Sequence, residues 1–294
     1  MVKNKADSLF LFVFLVALLA MPTMAPAQHL PSFSSHVSHK KSLVEGGFGY
    51  SFGFNDILFR DGDNANFAPA KKEIGLDSMV FSVQGQTFAT SDVAVRVQGW
   101  INIPQEIRSN FILDGATRSW DTQARQIEAD LAAIYVFGFP GIPYAAGLTA
   151  GYRYCDLNYS SVQVAVPSGT FHDHFQIHIP YLGVYYTHHK FAGSVVRLDV
   201  LASTFPLSRL DSQRRQQLLI KEIEGQSVTG FWFETLFEWA TDVAEGAQIG
   251  LMAKYNYLEL SGGATISNGI QATRFSMDSR KHLFVTGLTA GYRF

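Results

Sequence analysis

The sequence predicts an all-β fold, a transmembrane antiparallel β-barrel of about ten strands with long extracellular loops and short periplasmic turns. Three observations predict it. The chain opens on a secretory signal, the remainder alternates apolar and polar residues with period two in segments of about ten residues, and the last such segment closes on an aromatic residue, Phe294.

Lys3 and Lys5 form a short positive start, Leu9 to Ala20 is an apolar run too short to span a bilayer comfortably, and Ala25-Pro26-Ala27 is a small-x-small cleavage pattern. The expectation is a cleaved signal peptide over 1–27, a mature N-terminus at Gln28, a periplasmic N-terminal segment over 28–42 and the barrel over 43–294. No cysteine follows the apolar run, which argues against a lipoprotein. Beyond Ala27 no apolar segment reaches helical spanning length, although the chain is 47% hydrophobic, 14% aromatic and only 16% charged. That composition fits neither a disordered tail nor a typical soluble domain. A formal net charge of -2 offers no broad basic surface, so nucleic acid is not an expected partner, and the single Cys155 cannot form an intramolecular disulfide.

The alternation places strands at Leu43 to Phe54, Leu76 to Ala89, Val93 to Ile103, Gln126 to Phe137, Pro143 to Asp156, Phe175 to His188, Gly193 to Ala202, Val228 to Ala240, Ala247 to Leu258 and His282 to Phe294. Long polar loops join them at Asn55 to Gly75, Pro104 to Arg125, Leu157 to His174, Ser203 to Ser227 and Glu259 to Lys281. Tight turns lie at Thr90-Ser91-Asp92 and Pro140-Gly141-Ile142. An even strand number puts both termini on the periplasmic side. On the last strand Phe284, Leu288, Ala290, Tyr292 and Phe294 share one face, suited to lipid, while Gly287, Thr289, Gly291 and Arg293 share the other, suited to a polar interior. A soluble sandwich would also alternate, but gives no reason for aromatics to gather at strand ends.

Gly147 to Tyr154 (GLTAGYRY) returns almost unchanged as Gly287 to Phe294 (GLTAGYRF). Both copies are expected to end strands, with Arg153 and Arg293 at equivalent places. The repeat reads first as convergent barrel chemistry and second as a duplicated five-strand half.

With these features the chain resembles the small monomeric outer-membrane β-barrel proteins as a class, over nearly the whole mature length. The resemblance implies a bacterial outer-membrane location, with lipid and lipopolysaccharide as surroundings. It also implies that Leu288, Ala290, Tyr292 and Phe294 form the signal read by the barrel-assembly machinery.

The faces opposite lipid collect Glu45, Arg96, Glu128, Asp130, Arg153, Arg197, Asp199, Glu234, Glu238, Lys254 and Arg293. Six acids and five bases in a barrel this narrow are expected to pair across the lumen and largely plug it. The alternative is a narrow selective pore lined by the same charges.

One cluster suggests chemistry. His172, His174 and His178 share strand parity, and with Ile177 and Ile179 toward lipid they would face the barrel mouth, where imidazoles bind metal or act as a base. Size and strand count also resemble the omptin proteases, whose sites use an Asp pair and an Asp-x-His pair. The nearest counterparts here are Asp114 and Asp121, then Asp173 with His174; adjacent strand residues point opposite ways, so the protease mechanism is not carried over. Asp61 to Asn66 resembles part of a calcium loop without its later Glu and reads as a polar turn. The fourth loop, through Arg209, Asp211, Arg214, Arg215, Lys221, Glu222 and Glu224, reads as a short rim helix with charges suited to lipopolysaccharide phosphates or solvent. No cofactor is implied. The expected role is structural or surface-interaction, with a porin-like channel second and a hydrolase at the barrel mouth third.

Overall fold

The structure, a computed structural model, describes residues 42–61, 70–113, 116–138, 144–164, 169–189, 194–216, 219–267 and 272–294. Outside them lie the expected signal peptide over 1–27, the expected segment 28–42 apart from Ser42 (with His29, His36 and His39 in it), most of the Asp61 to Asn66 stretch, Asp114, and the turn expected at Pro140 to Ile142. The strands are β1 (Leu43–Asp61), β2 (Ala70–Gly75), β3 (Ser78–Phe88), β4 (Val93–Ile103), β5 (Glu106–Leu113), β6 (Ala116–Gly138), β7 (Tyr144–Gln163), β8 (Gly169–His189), β9 (Ser194–Ser203), β10 (Leu207–Gln216), β11 (Leu219–Asp242), β12 (Ala247–Ser267) and β13 (Ala272–Arg293). β2 runs into β3, β4 into β5 and β9 into β10, so the segments make about ten antiparallel staves. β13 returns to β1 from Leu43 opposite Arg293 to Asp61 opposite Phe275, which closes the ring of described strands. Ser42 and Phe294 exchange two backbone hydrogen bonds of 3.0 Å at the seam.

Along each stave the chemistry inverts at one height. On β1, Phe48, Tyr50, Phe52 and Phe54 point outward over buried Glu45, Ser51 and Asn55; two residues further the parity is unchanged, but Ile57 and Phe59 are buried and Arg60 faces out. On β7, Leu148 and Tyr152 stand outside buried Thr149 and Arg153, whereas above them Leu157 and Tyr159 are buried and Asn158 is exposed. The lower storey is therefore apolar outside and polar inside, as hydrocarbon demands of a barrel. The upper storey is the reverse, as water demands. Its core is dense: Phe111 stacks on Trp120 at 5.0 Å between centroids, and Phe171 meets both edge-on at 5.6 and 4.9 Å.

The five stretches expected to be long loops are consequently mostly strand. The fourth, expected to carry a rim helix, is β10 paired with β11 from Ser208 opposite Ser227 to Gln216 opposite Leu219. Two bulges helped to hide these strands. Across residues 102–105 the register against β6 passes from Ile101–Ile127 to Glu106–Gln123, one residue more on β4/β5 than on β6, and the inward face changes from even positions (Arg96, Gln98, Trp100) to odd ones (Ser109, Phe111). Pro104 has no N–H to offer the ladder. The Asn102 side chain takes over, donating to Ala124 O at 2.8 Å and accepting from Gln126 N. Thr204 to Pro206 causes a second one-residue shift, against β8, from Leu182–Ala202 to His178–Leu207.

The tight turn at Thr90-Ser91-Asp92 keeps the expected form: Thr90 Oγ1 accepts from the N–H groups of Asp92 and Val93. In the β11–β12 turn Gly246 adopts φ 73°, where a Cβ would lie 2.7 Å from Arg293 O. The repeated motif, however, does not end both strands. Its first copy lies in the lower part of β7, which continues to Gln163, so Arg153 sits at mid-height while Arg293 sits at the base opposite Leu43.

The inversion is testable. Leu182→Arg, on the lower outer face, should cost about 2–4 kcal/mol in urea unfolding from lipid vesicles, and Asn158→Arg, on the upper outer face, within about 0.5 kcal/mol of nothing.

Candidate functional site

The interior polar groups fall in three groups along the barrel. Nearest the base, Arg197 donates to Glu238 at 2.9 Å and to Glu45 at 3.2 Å, Gln248 donates to Glu45 at 3.2 Å, and Arg293 donates to Gln248 at 2.7 Å. In the middle, Arg96 pairs with Asp199 at 2.6 Å. Arg153 pairs with Asp130 at 3.0 Å and with Glu234, and stands 3.6 Å from Glu128. Lys254 bridges Glu128 at 2.9 Å and Glu234 at 3.1 Å, with Lys281 3.8 Å from Glu128. Four bases thus meet four acids, with Tyr181 donating to Asp130 at 2.8 Å and Asn256 donating to Glu234 at 2.9 Å. In the upper storey Lys72 lies 2.7 Å from both oxygens of Asp173, with the Phe171 ring centroid 4.2 Å away and Phe59 and Phe111 behind.

Contacts at each height cross the barrel, while others join neighbouring staves. Lys254 on β12 and Glu128 on β6 stand on opposite staves. Arg96 on β4 and Asp199 on β9, Arg197 on β9 and Glu45 on β1, and Lys72 on β2 and Asp173 on β8 are each nearly opposite. Asn55 on β1 reaches Tyr159 on β7 at 3.0 Å. Cations also lie over rings, Lys254 4.1 Å from the Trp100 centroid and Arg153 4.9 Å from that of Trp232.

Of the eleven charges expected inside, ten are buried and Arg293 is half-buried at the rim. Sequence reasoning missed Lys72 and Lys281 because both lay in stretches taken for loops; the parity of Leu283 and Val285 would have carried Lys281 inward. Leu288, Ala290, Tyr292 and Phe294 line the outer face of β13.

The histidines go the other way. Ile177 and Ile179 are fully buried, so His172, His174 and His178 stand on the outer wall, while Asp173 points in to Lys72. The reason is the upper core: apolar residues of β8 pack inward once water replaces lipid outside. His174 Nε2 lies 2.9 Å from Asp156 Oδ2, and His178 Nδ1 contacts the Tyr152 hydroxyl. Among the described residues no three His, Cys, Asp or Glu side chains gather to hold a metal. Asp121 is also on the outer wall, 2.9 Å from Arg108, so among the described residues Asp121, His172 and His174 lie outside while Asp173 points in. Elsewhere on the upper wall, the hydrogen bond from the Tyr257 hydroxyl (2.8 Å) and the Arg280 guanidinium hold the Glu259 carboxyl below the usual carboxylate range against partial burial, whereas burial pushes Asp56 up despite Lys71 at 3.6 Å.

No protein family matches the sequence, and no curated protein does. Solved structures do match the fold. The outer-membrane protease OmpT from Escherichia coli superposes with a TM-score of 0.76 at 10% identity, over 90% of this chain and 99% of that one. OprG from Pseudomonas aeruginosa (TM-score 0.37, 11% identity, 87% and 96% covered) and the translocator domain of the autotransporter NalP from Neisseria meningitidis (0.35, 9%, 88% and 90%) are far more distant. The chain therefore has the fold of the small bacterial outer-membrane β-barrels. At such identities the likeness speaks for fold alone.

Glu128→Leu should destabilise the barrel by about 3–5 kcal/mol, because it strands buried cations, and added salt should not mask the loss. Asp173→Leu should cost a similar amount and Lys72→Met with Asp173→Leu much less, read in the same unfolding assay. On the outer wall the sign is fixed by the lowered Glu259 value: its contribution is present above the unfolded carboxylate pKa and lost as pH falls through the folded one. Glu259→Gln should flatten that part of the acid limb below about pH 4.3, by under about 1 kcal/mol because the pair is largely exposed.

Proposed function

We propose that this chain is an integral outer-membrane protein whose barrel is closed to solutes and whose role is structural or surface-interacting. The observation that carries the reading is the set of side-chain bonds between opposite staves at successive heights, from Arg197–Glu45 through Lys254–Glu128 to Lys72–Asp173, topped by the aromatic core of the upper storey. A passage end to end would have to part a paired, buried charge at each height, at a cost of several kcal/mol each. Lipid and lipopolysaccharide surround the lower band, partners outside the cell meet the polar upper wall and hairpin ends, and the barrel-assembly machinery reads Leu288, Ala290, Tyr292 and Phe294.

The mature chain, refolded and verified as a heat-modifiable band, should be electrically silent in a planar bilayer. Reproducible ion-selective steps from the same preparation would replace this reading with the narrow channel.

A further inference from the structure

At the height of the bulge the barrel interior holds a small cavity of about 20 Å³ that meets the wall at Ile101, Asn102 and Ala124 to Gln126. A water needs about 10–15 Å³ and two to four polar partners, so the space suits one water. Its lining joins two environments. Ile101 and Arg125 are outward and exposed, at the height where the outer wall turns from apolar to charged, while Ser51, Ser78, Glu128 and Lys254 are buried interior groups. Trp100 also lines it, and its indole N–H is buried with no hydrogen-bond partner. Backbone pairing between β4/β5 and β6 is interrupted at this place, with only the Asn102 side chain across the gap.

We propose that this cavity is a water-binding site that hydrates the middle charge group from the side of the barrel. Water held there reaches hydroxyl, carboxylate and ammonium groups at once, and meets Glu128 and Lys254 without crossing the dry core of the upper storey. Protons of the buried network then exchange with the medium laterally, at the bulge, although the barrel is closed end to end. The inference goes beyond the closed-barrel reading and fails separately from it.

The test is indole N–H exchange into deuterated water, followed by NMR on the folded full-length mature protein in micelles. Trp120 and Trp232 are internal references, since both are buried with unpartnered indole N–H groups and neither lines the cavity. Trp100 should exchange at least about tenfold faster than both, and because local opening differs from place to place in a protein, the cavity-filling variant serves as the control. Ala124→Leu, which fills the cavity from β6, should slow Trp100 toward the references. Equal protection of all three indoles in the unaltered protein overturns the proposal, whether or not the variant folds. Fast exchange of all three overturns the lateral route and the closed interior together; silence in the bilayer with fast Trp100 alone supports both.

Discussion

The structure depends on one constraint: each stave must pass from hydrocarbon to water without breaking its pleat. A strand sends alternate residues to opposite faces, and that period cannot change along an unbroken ladder. The two solvents nevertheless demand opposite assignments of apolar and polar residues to those faces. The chain meets the constraint by inverting its chemistry at one level, between Phe54 and Ile57 on β1 and between Tyr152 and Leu157 on β7. Below the level the sheet is a membrane barrel with charges inside. Above it the same staves enclose a water-soluble barrel with Trp120, Phe111 and Phe171 at its centre.

The inversion explains why the interior is so heavily charged below and almost dry above. Polar groups confined to the lower lumen have neither bulk water nor lipid headgroups to satisfy them, so they must satisfy one another. The equal count of middle acids and bases follows, as does their spacing: Arg153 stands within 4 Å of three carboxylates and Lys254 of two, while Arg96 holds Asp199. Pairing of this kind contributes little net stability compared with a hydrocarbon core. What it supplies is register, because a one-residue slip of β12 would send Lys254 into the lipid face and leave Glu128 without its partner across the barrel.

The lower storey was legible in the sequence for the same reason that the upper storey was not. Where apolar residues point outward, period-two alternation is strong, and it located about ten staves, the outward face of β13 and most of the inward charges, though not Lys281. At Asn55 or Leu157 the apolar phase reverses, and polar residues such as Asp56 and Asn158 imitate the start of a loop. His172, His174 and His178 were read with the lower-storey rule in an upper-storey segment, so their face was assigned backwards. Loop-like proline signals at Pro104 and Pro206 completed the concealment, since each sits in a bulge that shifts the inward parity by one.

Both proline bulges fall at the level of inversion, and physical chemistry favours that placement. Deeper in the band an unpaired backbone group would face hydrocarbon and could find no partner, while higher up it would open the aromatic core. At the boundary the outer side has water and polar side chains within reach, and a local loss of ladder hydrogen bonds is tolerable. Asn102 fits this position: its amide both donates and accepts, so one side chain replaces the two backbone groups that Ala124 and Gln126 would otherwise lack. The wall is therefore least regular where its surroundings best forgive irregularity.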